Sequence, residues 1–498
     1  MHLRIRLLLL LVAQVDLWSR VDGIVDGDHF FRQSHVLANV DQMQEQGILR
    51  APSTWNEDMF LRLYDVPLWQ IVVTGLSSAL GLPSALVAEG FAALLFAVLF
   101  ALAWRLGVLL QLAPMATTVA LAVLALAPIG RFWFAAASLD PFVVCIATAS
   151  LWAWLQSQEP TSRARRWLAA GWLLGAFLAT LAKAPVYLPA ATTILVVTAW
   201  RRGWRGLVGG PTLAFLATML TALVGARVLT SAANAGLPGW PDAATELSWY
   251  FGSWQERSTW RPHGSVLGRI AREVMSIPGT VACLLALASV RRWRLPAPAR
   301  VFVLAHALAA VGASLLFLHV NVVHNYYQLP CLVPLALLVG HGTSLLCDAC
   351  NGWWQRRSGR AQRWPAALVL TLVLGGALWS SMRYLERIAR FDTSALRAAG
   401  DFVRAASTPA DFVLYGTITG DDNPVFLYFV QRHGANVQAA TPTVTMLDRW
   451  LAAALERGGR LLLFVPAAAG EATALRRTEP DWSEVATGPA GAVFELVR

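Results

Sequence analysis

The sequence is built from long apolar runs separated by short arginine-bearing gaps, with two extended polar stretches and a mixed tail. A helix that crosses a bilayer needs about 17–25 mostly apolar residues, and roughly eleven runs approach or reach that range. They lie near 4–20, 85–107, 113–131, 139–157, 167–183, 186–200, 207–230, 274–290, 301–320, 328–346 and 365–382. The polar stretches are 21–84, directly after the first run, and 231–273. From residue 384 the composition turns mixed. Ser394–Ala406 reads as an amphipathic helix, Phe412–Tyr415 as a strand, Pro424–Arg432 as a helix and Thr443–Arg457 as a longer helix, with Arg460–Val465 and Val493–Val497 as further strands. Strands alternating with helices predict a small α/β unit. The expected fold is therefore mainly α. A polytopic membrane helical bundle spans 1–383, with 21–84 as a large loop outside the membrane, and a small α/β domain spans 384–498. No internal repeat is found, which weighs against inverted-repeat transporters.

Composition agrees with this reading. The chain is 56% hydrophobic and 14% charged, with a mean hydropathy of +0.51, where a soluble domain carries about 25% charged residues. A net charge of +10 would by itself admit a nucleic-acid partner. The arginines, however, cluster in short gaps: Arg163, Arg165 and Arg166; Arg201, Arg202 and Arg205; Arg291, Arg292, Arg294 and Arg300; Arg356, Arg357, Arg360 and Arg363. All fall on the same side as Arg4 and Arg6 if the runs are counted as above. That is the positive-inside pattern, and it makes this side cytoplasmic. The 21–84 loop, the 231–273 loop and the tail then lie outside, and no nucleic acid is expected as a partner.

The N-terminus resembles a signal peptide, but Ala13 is followed by Gln14, Val15 and Asp16 rather than a small-x-small cleavage site, so an uncleaved first helix is expected. Cys145, Cys283 and Cys331 fall in apolar runs and read as small buried residues. Cys347 and Cys350 form one CxxC on the cytoplasmic side. Zinc would need two further ligands there, and no disulfide framework is implied. The tryptophans of the 231–273 loop (Trp240, Trp249, Trp254 and Trp260) read first as interfacial anchors, although tryptophan is also the usual stacking surface for sugar rings.

Chemistry is concentrated at the outer ends of the runs. Val25-Asp26-Gly27-Asp28-His29-Phe30-Phe31-Arg32-Gln33-Ser34-His35 carries two carboxylates, two imidazoles, a guanidinium and an amide. Asp140 opens one run in Ser138-Leu139-Asp140-Pro141. Lys183, the single lysine among 40 Lys+Arg, closes another in Ala182-Lys183-Ala184-Pro185. His324 precedes a third in His324-Asn325-Tyr326-Tyr327-Gln328-Leu329-Pro330. Ionisable groups at the edge of a membrane bundle are costly, which makes them site candidates. Simpler readings stand beside this one. Asp140 suits a helix N-cap followed by proline, Lys183 suits snorkelling to the headgroups, and Asp26-Gly27 suits a tight turn. An ammonium in an arginine-only chain is also a compact point charge suited to a phosphate.

These motifs resemble bacterial membrane glycosyltransferases of the GT-C superfamily, in particular glycosyltransferase family 39 and the aminoarabinose and protein mannosyl transferases. The likeness rests on the Asp-containing segment ending in Phe31-Arg32-Gln33, on Tyr64-Asp65-Val66-Pro67-Leu68-Trp69-Gln70, on Lys183-Ala184-Pro185 and on the His324–Pro330 segment, and it covers roughly residues 1–345. The resemblance implies an inverting transfer of a glycosyl group from a polyprenyl-phosphate sugar donor. The acceptor is an envelope lipid, glycan or protein on the periplasmic face of the bacterial inner membrane. Asp28 is the expected base, with Asp26 in reserve and His29 behind it. Lys183, with Arg32 and His324, is expected to hold the phosphate, Asp140 to position the acceptor or a metal, and Gln33, Tyr326 and Tyr327 to line the substrate. The family's acidic residue two positions before the Arg-Gln pair is Phe30 here. No cofactor is required by the motifs. A divalent metal stays open, because His29, His35, Asp26 and Asp28 offer donors without metal spacing. The competing reading is a flippase or transporter of lipid-linked sugars. It would need polar residues distributed through the membrane depth, where this sequence offers mainly His306.

Overall fold

The computed structural model of the chain describes residues 2–22, 30–46, 65–159, 164–233, 243–360, 362–388, 393–415, 425–437, 444–467 and 482–497. Within lipid every backbone polar group must find a partner inside the protein, which leaves the apolar runs no option but helix. Helix α1 (His2–Trp18) enters the bundle. The polar 21–84 stretch contributes α2 (Phe30–Gln46) and α3 (Leu68–Leu80). There follow α4 (Ser84–Leu109), α5 (Pro114–Leu126), α6 (Pro128–Trp133), α7 (Asp140–Ser157), α8 (Arg165–Leu207) and α9 (Gly210–Ala233). Proline stands in the first turn of α5, α6 and α7, where its missing N–H costs nothing and its fixed φ favours the helix.

The 231–273 stretch folds into three short helices, α10 (Ala243–Phe251), α11 (Trp254–Ser258) and α12 (Trp260–Arg269), the last running into a π-turn at Ile270–Val274. The remaining membrane part comprises α13 (Ile277–Ala288), α14 (Ala297–Leu316), α15 (Leu318–Val323), a 3-10 turn at Asn325–Cys331, α16 (Leu332–Ser358) and α17 (Trp364–Ile388). Helix α16 lies centrally, packed against α5 and α13. At Gly340 a side chain would collide with the backbone of Ala116, and at Gly342 with that of Ala282, so only glycine permits this approach.

On length and composition six of the described helices can cross a membrane, or seven if Trp260–Val274 and Ile277–Ala288, bent by 106°, form one span. The reading of about eleven spans differs for local reasons. Helices α1 and α5 have 17 and 13 residues, α7 carries Asp140 in its first turn, and α8 counts once although it has two arms, as shown below.

The tail forms a five-stranded sheet in the order β2-β1-β3-β5-β4. Its strands are β1 (Phe412–Tyr415), β2 (His433–Asn436), β3 (Leu461–Pro466), β4 (Trp482–Gly488) and β5 (Gly491–Leu496). Strand β1 pairs parallel with β2 and β3, and β5 pairs antiparallel with β3 and β4. Helices α18 (Ser394–Ala406), α19 (Val425–Val430) and α20 (Val444–Glu456) complete it. The two faces of the sheet differ. Phe412, Leu414, Leu461 and Leu463 pack with Trp450 of α20 in a separate core. Val413, Tyr415, Leu462 and Phe464 join α18 and α19 in a core continuous with the membrane helices. Helix α19 packs against α2, and the buried Tyr428 phenol resists ionisation, first through burial and then through Asp41 and Glu89. The tail therefore buttresses the helix that carries Arg32.

Candidate functional site

The site begins with a break in α8. Pro185 cannot donate a backbone hydrogen bond, and its ring crowds the carbonyl four residues earlier. Lys183 accordingly leaves the helix, at φ −164° and ψ 86°. Beyond it the chain turns back on itself. The Ser150 hydroxyl donates to the carbonyl of Trp172 at 2.8 Å and also meets the Tyr187 hydroxyl at 3.0 Å. The rings of Trp172 and Tyr187 both lie against Phe215, at 5.1 and 6.4 Å. On a straight helix Trp172 and Tyr187 would be roughly 22 Å apart. Helix α8 is thus a hairpin with Lys183 at its apex, and Arg165, Arg166, Arg201 and Arg202 lie towards its two far ends.

Lys183 is 2% exposed, and Nζ donates to Asp140 Oδ1 at 2.7 Å. Asp140 is not an N-cap. It occupies the first position of α7, no side chain caps that helix, and its carboxylate is turned to the ammonium. Ser138 Oγ donates to Asp140 Oδ2 at 3.2 Å and accepts from the Asp140 backbone N–H at 3.3 Å, which fixes the carboxylate. Lys183 Nζ also lies over the rings of Tyr326 and Tyr327, 4.7 and 4.2 Å from their centroids, close enough for cation–π attraction on both.

Arg32 approaches from α2. Its Nη2 donates to Asp65 Oδ2 at 3.0 Å, and Nη1 lies 3.4 Å from His35 Nδ1. Burial disfavours the guanidinium charge, yet the field of Tyr326, Asp65, Asp140 and Tyr327 outweighs it and holds Arg32 protonated. The same field places Arg32 beside the Lys183–Asp140 pair. His35, buried with Arg32 at its edge, is pushed down to about 3 and is neutral at ordinary pH. Gln33 is buried in α2.

The tyrosine pair is held from behind by residues that the sequence did not single out. Trp133 Nε1 donates to Asn325 Oδ1 at 3.1 Å, and Asn325 Nδ2 donates to the Tyr384 hydroxyl at 2.6 Å. Trp133 also meets Tyr326 edge-on at 5.2 Å. His324 stacks on Tyr326 at 5.0 Å and faces Trp249 at 6.0 Å, so it lies on the outside of the tyrosines. Trp249 leads on to His319, 5.0 Å away, whose Nδ1 meets Glu256 Oε1 at 2.9 Å. Of the loop tryptophans, Trp254 and Trp260 are exposed as anchors would be, Trp249 borders the site, and Trp240 lies outside the described residues.

Arg32, Asp140, Lys183, Tyr326 and Tyr327 therefore converge, with His324 at the rim. Asp26, Asp28 and His29, the expected base and its reserves, lie outside the described residues. Among the described residues no three His, Cys, Asp or Glu side chains gather as a metal cluster. Two cavities with about 210 and 310 Å³ of empty space adjoin the site and share Pro189 and Pro330. The first reaches Tyr327 and Asn321, and the second is lined by Val144, Val186, Val333 and His306.

A helical membrane bundle with a cationic site buried at one end, a helical loop after its first span and a small sheet closing the tail is the GT-C superfamily fold. The sequence matches no protein-family model and no curated protein. The solved structure of ArnT from Cupriavidus metallidurans bound to undecaprenyl phosphate is similar over 99% of this chain and 98% of its own, with a TM-score of 0.66 at 15% identity. The Archaeoglobus fulgidus oligosaccharyltransferase tethered to an acceptor peptide matches 100% of this chain and 74% of its own, with a TM-score of 0.56 at 12% identity. The arabinofuranosyltransferase AftD from Mycobacteria matches 99% of this chain and 40% of its own, with a TM-score of 0.61 at 14% identity.

Proposed function

We propose that the chain is a GT-C glycosyltransferase. It moves a glycosyl group from a polyprenyl-phosphate donor to an envelope lipid, glycan or protein, with inversion, on the periplasmic face of the inner membrane. The observation that carries this reading is the convergence of one ammonium and one guanidinium, Lys183 and Arg32, at the end of an otherwise apolar bundle. Each has a carboxylate partner and neither reaches bulk water freely. A departing lipid phosphate gains charge as the glycosidic bond breaks, and fixed cations in a dry site stabilise that charge far better than water does. Lys183 suits this role because Asp140 takes one of its three donor directions and the tyrosine rings flank the rest without replacing a phosphate oxygen. The two cavities offer proline, alanine and valine walls to a prenyl chain.

In the proposed step the acceptor oxygen attacks the anomeric carbon from the side opposite the phosphate. The carbon–oxygen bond to phosphate breaks and the electron pair leaves with the lipid phosphate. The acceptor proton passes to a carboxylate within hydrogen-bond reach, for which Asp28 is the candidate and Asp26 the reserve. The test is binding of undecaprenyl phosphate to the full-length protein in nanodiscs. Wild type should bind and Lys183→Met should lose most of the affinity. Equal affinity in the two proteins would remove Lys183 from the phosphate site. Glycan analysis of envelopes with and without the protein then identifies the product.

A further inference from the structure

Helices α2 and α3 run side by side in the same direction. Arg32 meets Asp65 just ahead of α3, and further along Thr74 Oγ1 reaches the Val40 carbonyl at 3.5 Å and Met43 Sδ at 3.9 Å. This register sets Trp69 and Gln70, about one turn before Thr74, level with the turn of α2 that precedes Val40. On α2 the residues Arg32, Asn39 and Gln42 share one stripe, because steps of seven and three return to the same face.

The polar atoms along this slot have no partners among the described residues. Asn39 Oδ1, both side-chain heteroatoms of Gln42, Trp69 Nε1 and Gln70 Oε1 are buried without a hydrogen bond. Exposure is 1% for Asn39, 2% for Gln42, 0% for Trp69 and 4% for Gln70. Buried polar atoms in folded proteins are almost always paired, so a row of five calls for a ligand that pairs them. The row is neutral throughout and mixes donors with acceptors. Its chemical complement is a set of hydroxyls, each of which donates and accepts. An ammonium would need a carboxylate, and this stripe has none.

We propose that the slot between α2 and α3 is the glycosyl subsite, and that it takes an uncharged, hydroxyl-rich sugar. The inference rests on the lipid-linked-sugar reading, in which Arg32 grips the phosphate. A sugar joined to that phosphate through one oxygen sits next along the stripe. The slot is closed around its amides, so α2 and α3 separate when the sugar enters, and the hydrogen bonds it makes compensate for the opening.

The experiment compares binding of three probes to the full-length protein in nanodiscs: undecaprenyl phosphate alone, the same lipid carrying a neutral hexose or pentose, and the same lipid carrying an amino sugar. Wild type should bind one neutral glycolipid about ten-fold more tightly than the bare lipid, the increment of one or two well-made polar contacts. Asn39→Leu and Gln42→Leu should erase that increment and leave bare-lipid affinity unchanged. Their melting temperature should not fall, because no partner within the protein is lost. Should either fail to fold, Gln70→Met on the facing helix must show the same loss. An increment that survives these substitutions means the slot holds only water, and a preference for the amino sugar overturns the uncharged assignment; either result sinks the proposal. If wild type fails to bind even the bare lipid, the phosphate reading falls and the glycosyl subsite falls with it. Bare-lipid binding without any sugar increment overturns the subsite alone.

Discussion

Two buried ion clusters sit in this bundle, and they are built differently. In one, Arg131 of α6 clasps Asp16 of α1 with Nε at 2.8 Å and with Nη2, while its Nη1 donates to Ser381 of α17 at 2.8 Å. Arg20 adds a second contact to the same carboxylate at 2.6 Å. Each group of the guanidinium fork is matched, and three helices are pinned together. In the other, Lys183 makes a single hydrogen bond to Asp140 and turns its remaining charge to two aromatic faces. Saturated coordination by a planar fork is how a protein fastens itself, whereas a point charge left with spare valence at a helix break is how it waits for a ligand.

The contrast is sharpest in the Lys183→Met variant. Transfer should fall by about a thousand-fold, the scale of losing a fixed charge at a transition-state oxyanion. The orphaned Asp140 should also destabilise the fold by about 3–5 kcal/mol. Lys183→Met combined with Asp140→Leu should recover the melting temperature but not the activity. Recovery of both would merge the two clusters into one class. Next in size, Arg131→Met should cost about 3 kcal/mol of stability, at the low end for a broken buried pair because Asp16 keeps Arg20. Activity per folded molecule should stay within about three-fold. A variant that melts normally yet cannot turn over would move Arg131 into the reaction machinery.

A smaller effect is expected at His35, whose pKa is about 3 when folded against about 6.5 when unfolded. Between these values the unfolded chain binds the extra proton, so stability is full above about pH 6.5 and declines as pH falls towards 3. His35→Gln should flatten this acid-side decline in melting temperature, and an unchanged slope would place the acid sensitivity elsewhere. Smallest of all, Arg201→Gln or Arg202→Gln should change activity by less than about two-fold, since each is one of several arginines at the end far from Lys183, where charge sets orientation collectively.

Much of the bundle was legible because lipid imposes a simple rule on sequence. The membrane runs and the singular Lys183 stood out without any knowledge of contacts. The bond between Lys183 and Asp140 did not, since 43 positions separate them and each has an ordinary local explanation. Asp140 looked like a cap until its carboxylate was found facing an ammonium. Asn325 stood inside a noticed motif, but its clamp depends on Tyr384, one aromatic among many in an apolar helix. In the tail, α18 and β1 were readable from amphipathic spacing and from a run of apolar residues. Strand β2, His-Gly-Ala-Asn, has no strand signal of its own and exists because β1 offers it a parallel edge. Strand β4 has mostly exposed positions, so its weak alternation carries little apolar pattern.

The lone lysine has a practical side. The chain has one ε-amine, and that amine is 2% exposed at the apex of a hairpin. An amine-selective acylating reagent therefore has a single side-chain target, and can reach it only while the tyrosines and α2 stand aside. The labelling rate counts the time the site spends open. The protein carries its own reporter of access, readable by intact-mass spectrometry with no engineered tag.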